Sequence, residues 1–464
     1  MALPRSRTVP LIIAAALFME HLDSTIIATA LPVMARDLGV PTVALNLAIT
    51  AYLISMAVFI PASGWVADRF GARRVFVTAI GVFVCGSVFC GLAPSMPLLV
   101  LGRAFQGLGG AMMIPVGRLV LLRTVPKAEL IPALAWLTVP ALIGPVIGPP
   151  LGGLIATHAS WRWLFWINVP TGALGIALAL AFLPHIREEE RTPFDTTGFL
   201  LSAVGLAVGV FSFETLGRGV MPVPLSLTLT GIGALFLAAY VRHARRVARP
   251  LIDLDLLRIP TYRVAILGGS VFRLGIGAIP FLLPLQLQVG FGRSALESGL
   301  TTFVAAAAAM LMKFGAKTLI GLMGFRTTLV LTSAVAGLLT TSVALVGPAT
   351  PVWIMMTILF VGGFFRSLSF TAINAVAYAD IDRERMSRAT SMTSMVQQVS
   401  LSAGVAIAAM ILHVVAPDGA EPTSGHISVA LALIGLASAT ACVVFMRLAP
   451  DAGAAMTGQS RAAE

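Results

Sequence analysis

The stretch VPALIGPVIGPPLGG at residues 139–153 decides the fold, because its flanks are apolar enough to cross a membrane while its own residues favour close helix packing. Gly144, Gly148 and Gly152 recur every four residues, which places three missing side chains on one helix face. Four prolines each remove a backbone donor and favour a bend: Pro140, Pro145, Pro149 and Pro150. The stretch predicts a bent membrane helix. A plain packing motif and a moving hinge are both open at this point.

The composition places the chain in a membrane. Hydrophobic residues make up 58% of it, charged residues 11%, and the mean hydropathy is +0.94. A soluble domain has about 25% charged residues. A helix needs about 20 apolar residues to span a bilayer, and about fourteen such segments fit the sequence with almost no chain left for a soluble domain. The sequence predicts an all-α polytopic membrane protein.

The net charge of +11 has a distribution typical of membrane proteins. Most of the 31 Lys and Arg residues fall in loops on one side of the predicted spans. The loops on the other side contain only Arg36, Arg162, Arg218 and Arg293. Because basic loops stay in the cytoplasm, this asymmetry predicts that both termini are cytoplasmic and that the number of spans is even. It also removes the need for a nucleic-acid partner.

Two carboxylates lie inside the first predicted span. Glu20 and Asp23 are one helical turn apart on the same face. Charged groups are costly in a bilayer, so we expect a functional polar site; a purely structural pair with a buried cation is the alternative. Arg103 in the fourth predicted span lies about 9 Å below the outer surface, and Asp23 lies about 12 Å below it. The matched depths predict an Arg103–Asp23 ion pair that carries proton coupling together with Glu20.

The second half carries cations within its predicted spans instead of acids. Arg273 and Arg366 lie about 17 Å and 22 Å deep, while Lys313 lies nearer the inner surface. With Asn374 and Gln397 they are the predicted substrate-binding residues. A guanidinium binds a carboxylate through two parallel hydrogen bonds, so the expected substrate is an organic anion or a metal–carboxylate chelate. Pairing of these cations with backbone carbonyls in helix packing is the alternative.

Short motifs in the first half resemble those of the major facilitator superfamily. The sequence GWVADRFGARR at residues 64–74 matches its motif A, and LGRAFQGLGGA at residues 101–111 matches its motif B. The opening stretch matches motif C, which in this superfamily marks antiporters. The gating residues implied by the resemblance are Gly64, Asp68, Arg69, Gly71, Arg73, Arg74, Gly144, Pro145, Gly148, Gly152 and Gly153.

Further matches narrow the resemblance to one family. LDST at residues 22–25, ALP at residues 30–32 and WRWLFWINVP at residues 161–170 resemble the fourteen-span drug:proton antiporters. The three tryptophans of the last segment also suit a membrane interface. Nearly the whole chain resembles multidrug exporters of the MdtD type. Leu47 departs from the family, in which Trp is usual, so broad drug specificity cannot simply be transferred.

The resemblance implies the major facilitator fold, with two pseudo-symmetric six-helix bundles, an inserted helix pair and a cavity near the bilayer midplane. The predicted domains are residues 1–184 for the N-terminal bundle, 185–260 for the inserted pair and basic linker, and 261–464 for the C-terminal bundle and tail. The linker is predicted to form an amphipathic surface helix that binds anionic lipid. By analogy, Asp68 is expected to latch the inner face against the helix that begins near Ser387.

The implied function is proton-coupled export of small molecules from the bacterial cytoplasm across the inner membrane, with drug resistance as its role. No enzyme activity, catalytic residue, metal site or cofactor is expected, since the proton motive force drives the cycle. The expected partners are a small-molecule substrate, protons and membrane lipids, and a tripartite efflux partner is left open. Two rivals are a proton-linked importer of the same fold and a passive channel or receptor, which would not need acids and cations at matched depths.

Overall fold

The computed structural model describes residues 5–27, 30–40, 45–184, 193–217, 221–293, 295–416 and 422–457. All regular secondary structure in these ranges is helical. A helix satisfies its own backbone donors and acceptors, which a bilayer without water requires. Among the described residues, 11 helices are long and apolar enough to cross a membrane. The predicted all-α polytopic class is confirmed.

The first half of the chain contains the helices that carry motifs A, B and C. Their bounds are α1 (Arg5–Ile26), α2 (Leu31–Leu38), α3 (Asn46–Phe59), α4 (Ser63–Phe70), α5 (Ala72–Leu92), α6 (Met96–Thr124), α7 (Leu130–His158), α8 (Trp163–Trp166) and α9 (Asn168–Phe182). The prolines of the opening stretch lie within α7, which continues through them. They therefore do not divide this span into two helices.

The second half begins with the inserted pair. Its helices are α10 (Thr196–Gly217), α11 (Val223–Ala244), α12 (Pro260–Leu285), α13 (Ala295–Ser342), α14 (Val352–Val376), α15 (Met386–Val415), α16 (Ser424–Ala439), α17 (Ala441–Phe445) and α18 (Ala454–Thr457). Two predicted spans meet within α13 at Gly324, whose φ is 75°. Gly71, with a φ of 91°, makes the corresponding turn between α4 and α5. Both turns need glycine because side chains rarely tolerate a positive φ.

The glycine face of α7 packs directly on α1. A side-chain carbon at Gly144 would lie 2.9 Å from the backbone nitrogen of Leu22, and one at Gly148 would overlap the Thr25 hydroxyl. Gly153, one further turn along, has nothing within 4 Å of that position. The motif C glycines thus bring α7 against the helix that carries Glu20 and Asp23.

The two bundles are held together at the face where α1 begins, which we call the basic face. The Ser387 hydroxyl at the start of α15 donates a hydrogen bond to the Asp68 carboxylate at the end of α4. Lys127 Nζ donates to the carbonyl of Ala379 at 2.8 Å. A side-chain carbon at Gly64 would lie 2.7 Å from the Ser387 carbonyl oxygen, so only glycine permits this approach. These contacts close the basic face.

The inserted pair covers a seam between the bundles. Leu206 and Val210 of α10 form an apolar cluster with Ala57 of α3, and Met395 and Val399 of α15 pack against it. One face of α10 therefore contacts both halves of the fold. The side chain of Glu214, also on α10, lies outside the described residues.

The prediction of an amphipathic linker helix is wrong. After α11 the chain passes through turns to a short 3-10 helix at Leu254–Arg258. The Tyr240 hydroxyl donates to the Ile252 carbonyl at 2.9 Å and accepts from the Ile252 amide at 2.6 Å. Asp253 accepts from Arg385 at 3.0 Å. Side-chain bonds to the bundles replace helical hydrogen bonds here, and Pro250 cannot continue a helix from α11.

Gly148→Val tests the close contact between α1 and α7. The added side chain would overlap Thr25, and overpacking of this kind costs about 1–3 kcal/mol. We expect a lower melting temperature for the purified variant in detergent than for the parent chain. Gly153→Val, on the same helix but facing open space, is the matched control and should melt like the parent. Equal melting temperatures for the two variants would show that α1 and α7 do not make a close contact at Gly148.

Candidate proton and substrate site

Asp23 accepts hydrogen bonds from two neighbouring helices. Arg103 Nη1 of α6 lies 2.5 Å from Oδ2 of Asp23. Gln106 Nε2 of α6 and Asn168 Nδ2 of α9 lie 2.9 Å and 2.7 Å from Oδ1. The side chains of Asp23 and Arg103 are 0% and 1% exposed. The ion pair predicted from matched depths is therefore present, and two amides complete the donor set.

A second layer fixes these donors. Ser87 of α5 accepts from Gln106 at 2.9 Å and from Asn168 at 2.8 Å. Arg103 also donates to Gln106 Oε1 at 2.7 Å, and its guanidinium lies 4.3 Å from the centre of the Tyr52 ring. The network thus connects α1, α3, α5, α6 and α9. Ser87 and Asn168 were missed as site residues, although each is a polar residue in an apolar run, the signal that singled out Asp23.

The network explains how a buried ion pair is tolerated. Two charges lose their hydration when buried, and their attraction compensates only if further hydrogen bonds satisfy the remaining polar atoms. Asp23 has three donors for its two oxygens. Removal of one partner from such a pair costs about 3–5 kcal/mol, because it leaves a lone buried charge.

Glu20 lies one turn before Asp23 in a different environment. It is 2% exposed, yet its Oε2 atom has no hydrogen-bond partner among the described residues. The Tyr52 hydroxyl is likewise without a partner in that part of the chain. The two predicted coupling carboxylates therefore differ: both oxygens of Asp23 accept hydrogen bonds, whereas Oε2 of Glu20 has no donor in the part of the chain that the structure describes.

Motif A surrounds the contact that closes the basic face. Asp68 accepts from Arg123 of α6 at 3.1 Å as well as from Ser387. Arg73 donates to the carbonyl of Leu180 at the end of α9. Arg69 is half-buried and Arg74 is exposed at the same face. Asp68 thus lies at the N-terminus of α15, where the helix dipole favours a negative charge.

Of the remaining gating residues, those on α7 do not all face the same way. Gly144 and Gly148 contact α1, Gly152 is buried, and Gly153 is half-buried beside open space. The side chain of Pro145 lies outside the described residues.

The predicted substrate-binding cations lie in different surroundings. Arg273 of α12 and Lys313 of α13 both lie near Phe370 of α14. Arg366 instead lines a small cavity of about 20 Å³ inside the C-terminal bundle, bounded by α12, α13, α14 and α16. Depth alone does not predict these surroundings, because it does not fix the rotation of each helix.

The predicted amides of the C-terminal half keep one polar atom free. Asn374 donates to the Phe370 carbonyl at 2.9 Å, while its Oδ1 atom has no partner among the described residues. Gln397 Oε1 on α15 is also buried without a partner in those ranges. Both atoms are available as acceptors for a bound molecule.

A polar cluster on the opposite face, which we call the far face, involves a tryptophan of the WRWLFW segment. Trp161 is buried rather than interfacial, and its indole nitrogen donates to Asp37 at 2.8 Å. Arg162 Nη1 donates to the same carboxylate at 2.7 Å. The hydrogen bonds from Arg162 and Trp161 hold the pKa of Asp37 below its ordinary value of 3.8.

Comparisons with known proteins agree with this architecture. Residues 13–405 match the family model described as Major Facilitator Superfamily. The chain is 38% identical over 425 residues to the "Putative multidrug resistance protein MdtD" of Citrobacter koseri, which covers 89% of this chain and 88% of that protein. The protein of the same name from Escherichia coli O139:H28 is 37% identical over 420 residues, with the same two coverages.

A solved structure has the same fold at low sequence identity. It is the "Crystal structure of the human organic anion transporter MFSD10 (TETRAN)", with a TM-score of 0.66 and 14% identity, and the match covers 96% of this chain and 100% of that one. At this identity the likeness concerns the fold alone. The family match over most of the sequence and the two bacterial relatives carry the assignment. The chain therefore belongs to the Major Facilitator Superfamily of multi-pass membrane transporters.

Proposed function

We propose that the chain is a proton-driven exporter of small molecules, in which Asp23, Glu20 and Arg103 couple proton entry to substrate exit. The observation that carries the proposal is the buried Asp23–Arg103 pair one helical turn from Glu20, whose Oε2 atom has no hydrogen-bond partner among the described residues. The names of its bacterial relatives, which refer to multidrug resistance, support export. In this proposal the basic face is cytoplasmic and the membrane is the bacterial inner membrane.

Protonation would act on the contact between α1 and its neighbours. A proton on Asp23 removes the charge that holds Arg103, Gln106 and Asn168 around it. The ion pair then loses most of its attraction, and α1 is free to move against the glycine face of α7. Glu20, one helical turn before Asp23 on α1, would deliver or receive the proton.

The available driving force matches this task. A pH difference of one unit gives about 1.4 kcal/mol per proton, and a membrane potential of about 100 mV gives about 2.3 kcal/mol per charge moved inward. Together they are comparable to the roughly 3–5 kcal/mol at stake when a buried ion pair loses a partner. One proton per cycle is therefore enough to rearrange the network.

The contacts at the basic face must open once in each cycle. They consist of a few hydrogen bonds, chiefly from Ser387 to Asp68, from Lys127 to Ala379 and from Arg118 to Tyr378. Individual hydrogen bonds contribute only about 0.5–1.5 kcal/mol, or somewhat more when one group is charged. These hydrogen bonds therefore stabilise the state in which the basic face is closed, and they are weak enough to break once in each cycle.

Asp23→Asn and Glu20→Gln test the coupling. In everted vesicles that contain the parent chain, we expect uphill accumulation of ethidium or carboxyfluorescein that a protonophore abolishes. Asp23→Asn cannot change charge, so it should abolish uphill accumulation while retaining exchange of the same dye without a gradient. Undiminished uphill transport by both variants would contradict the proposal, and proton-driven movement out of these vesicles would favour the importer.

Asp37→Asn tests how the contacts of Asp37 at the far face depend on pH. A carboxyl group whose folded pKa is depressed stabilises the fold above its unfolded pKa, near 3.9, and loses that contribution only as the pH falls through the lower folded value. The Asp37 contacts should thus persist from about pH 5 to pH 8. We expect the difference in melting temperature between Asp37→Asn and the parent chain to be constant over this range. A difference that shrinks toward pH 5 would contradict the assignment.

A further inference from the structure

Arg273 is buried without the partners that a buried guanidinium normally has. It is 0% exposed, and its three nitrogen atoms have no hydrogen-bond acceptor among the described residues. The side chain folds back along α12, where a side-chain carbon at Gly269 would lie 2.7 Å from Nη1. Gly269 thus provides the room that the guanidinium occupies.

Lys313 brings a second cation to the same aromatic ring. Its Nζ atom lies 6.0 Å from the centre of the Phe370 ring, and Arg273 Cζ lies 5.9 Å from it. Lys313 is buried and donates to the Thr371 hydroxyl at 2.7 Å. A neutral hydroxyl satisfies one donor of the ammonium but does not balance its charge.

A third cation comes from the other bundle. Arg118 of α6 is buried, and its Nη1 atom donates to the Tyr378 hydroxyl beyond the end of α14 at 3.3 Å. Tyr378 follows α14, the helix that also carries Phe370. We call Arg118, Arg273 and Lys313 the cation cluster. It joins the two bundles close to the contacts that close the basic face.

The acids of the described residues do not balance this charge. Asp23 pairs with Arg103, Asp68 with Arg123, and Asp253 with Arg385 and Arg388. None of the ion pairs in the described part of the chain includes Arg273 or Lys313. Buried charges of one sign repel each other and lack hydration. Binding of an anion from outside the chain would reduce both costs.

We propose that the cation cluster binds the carboxylate of an organic anion, and that this anion is the exported substrate. The planar guanidinium of Arg273 offers two parallel donors to a carboxylate, and Lys313 offers a point charge to a second acidic group. Phe370 and Ile373 present apolar surface to the organic part of the molecule. The inference rests on the proposed export function only for the direction of transport.

Anion binding also explains why the cluster is built from both bundles. Without a ligand, Arg118 on one side and Arg273 and Lys313 on the other repel each other when the basic face closes. A bound carboxylate neutralises part of this repulsion and is attracted to both sides. Substrate loaded from the basic face therefore favours closure of that face, which is the step an exporter needs after loading.

Titration of the purified chain with succinate and benzoate in a chloride-poor buffer tests the site. We expect calorimetric binding and a raised melting temperature for the parent chain. Arg273→Gln and Lys313→Met should weaken binding by at least roughly tenfold, since each removes a charged hydrogen-bond donor. Arg258→Gln removes an exposed cation outside the cluster and should bind like the parent.

A merely structural role for Arg273 predicts different results. If Arg273 served only packing, Arg273→Gln would melt at a lower temperature without ligand, whereas loss of an unpaired buried charge should leave the melting temperature unchanged or raised. Arg273→Lys keeps the charge without the fork and should retain part of the affinity. The affinity of Arg273→Lys therefore distinguishes loss of the charge from misfolding as the cause of weak binding in Arg273→Gln.

The inference would be overturned by absence of carboxylate binding to the parent chain, by equal affinity for tetraphenylphosphonium, or by parental carboxylate affinity in Arg273→Gln. Inorganic phosphate or chloride bound as tightly as the carboxylates would also contradict it, because the site would then not select an organic anion.

The anion site and the proposed export function can fail independently. Protonophore-sensitive dye export with no carboxylate binding would refute the anion site alone, and carboxylate binding without uphill transport would refute the coupling alone.

Discussion

The fold of the N-terminal bundle depends on one constraint: a carboxylate buried within a membrane span must be matched in charge and fully hydrogen-bonded. Asp23 meets it through Arg103, Gln106 and Asn168, which lie on two other helices. Close helix approach makes this geometry attainable. A side-chain carbon at Gly86 would lie 2.7 Å from Gln106 Cα, and one at Gly148 would overlap Thr25. The polar network and the glycine contacts are therefore two parts of one arrangement.

The two bundles treat their buried charges differently. The N-terminal bundle pairs Asp23 with Arg103, while in the described residues of the C-terminal bundle Arg273 and Lys313 have no acidic partner. A paired charge responds to a proton, which cancels one member of the pair. Unpaired cations respond to an anion, which supplies the missing member. In our account the N-terminal bundle senses the proton, the cation cluster, which includes Arg118 from the same bundle, senses the substrate, and the contacts of the basic face lie between the two bundles.

The sequence predicts well how deep a residue lies in the membrane, and it predicts poorly how each helix is rotated about its axis. Hydropathy located the spans, and the end of each span fixed how deep its residues lie, so the Asp23–Arg103 pair followed from two depths. Depth does not predict which way a side chain points: Arg273 lies near the Phe370 ring, whereas Arg366 lines a small cavity. The basic, partly apolar composition of the linker after α11 predicts an amphipathic helix, whereas the chain there passes through turns to a short 3-10 helix. The Tyr240 and Asp253 bonds that hold it join residues distant in sequence, which local pattern cannot reveal.

The distance between the bundles at the far face, measured as a function of pH, tests the central claim most directly. Spin labels at Leu92 and Leu345, both exposed, report this distance in a variant that lacks the native cysteines. Our account predicts that lower pH shifts the distance distribution of the parent chain. Asp23→Asn should show the low-pH distribution at every pH. A pH-independent distribution in the parent, or an Asp23→Asn variant that follows the parent at each pH, would contradict coupling through Asp23.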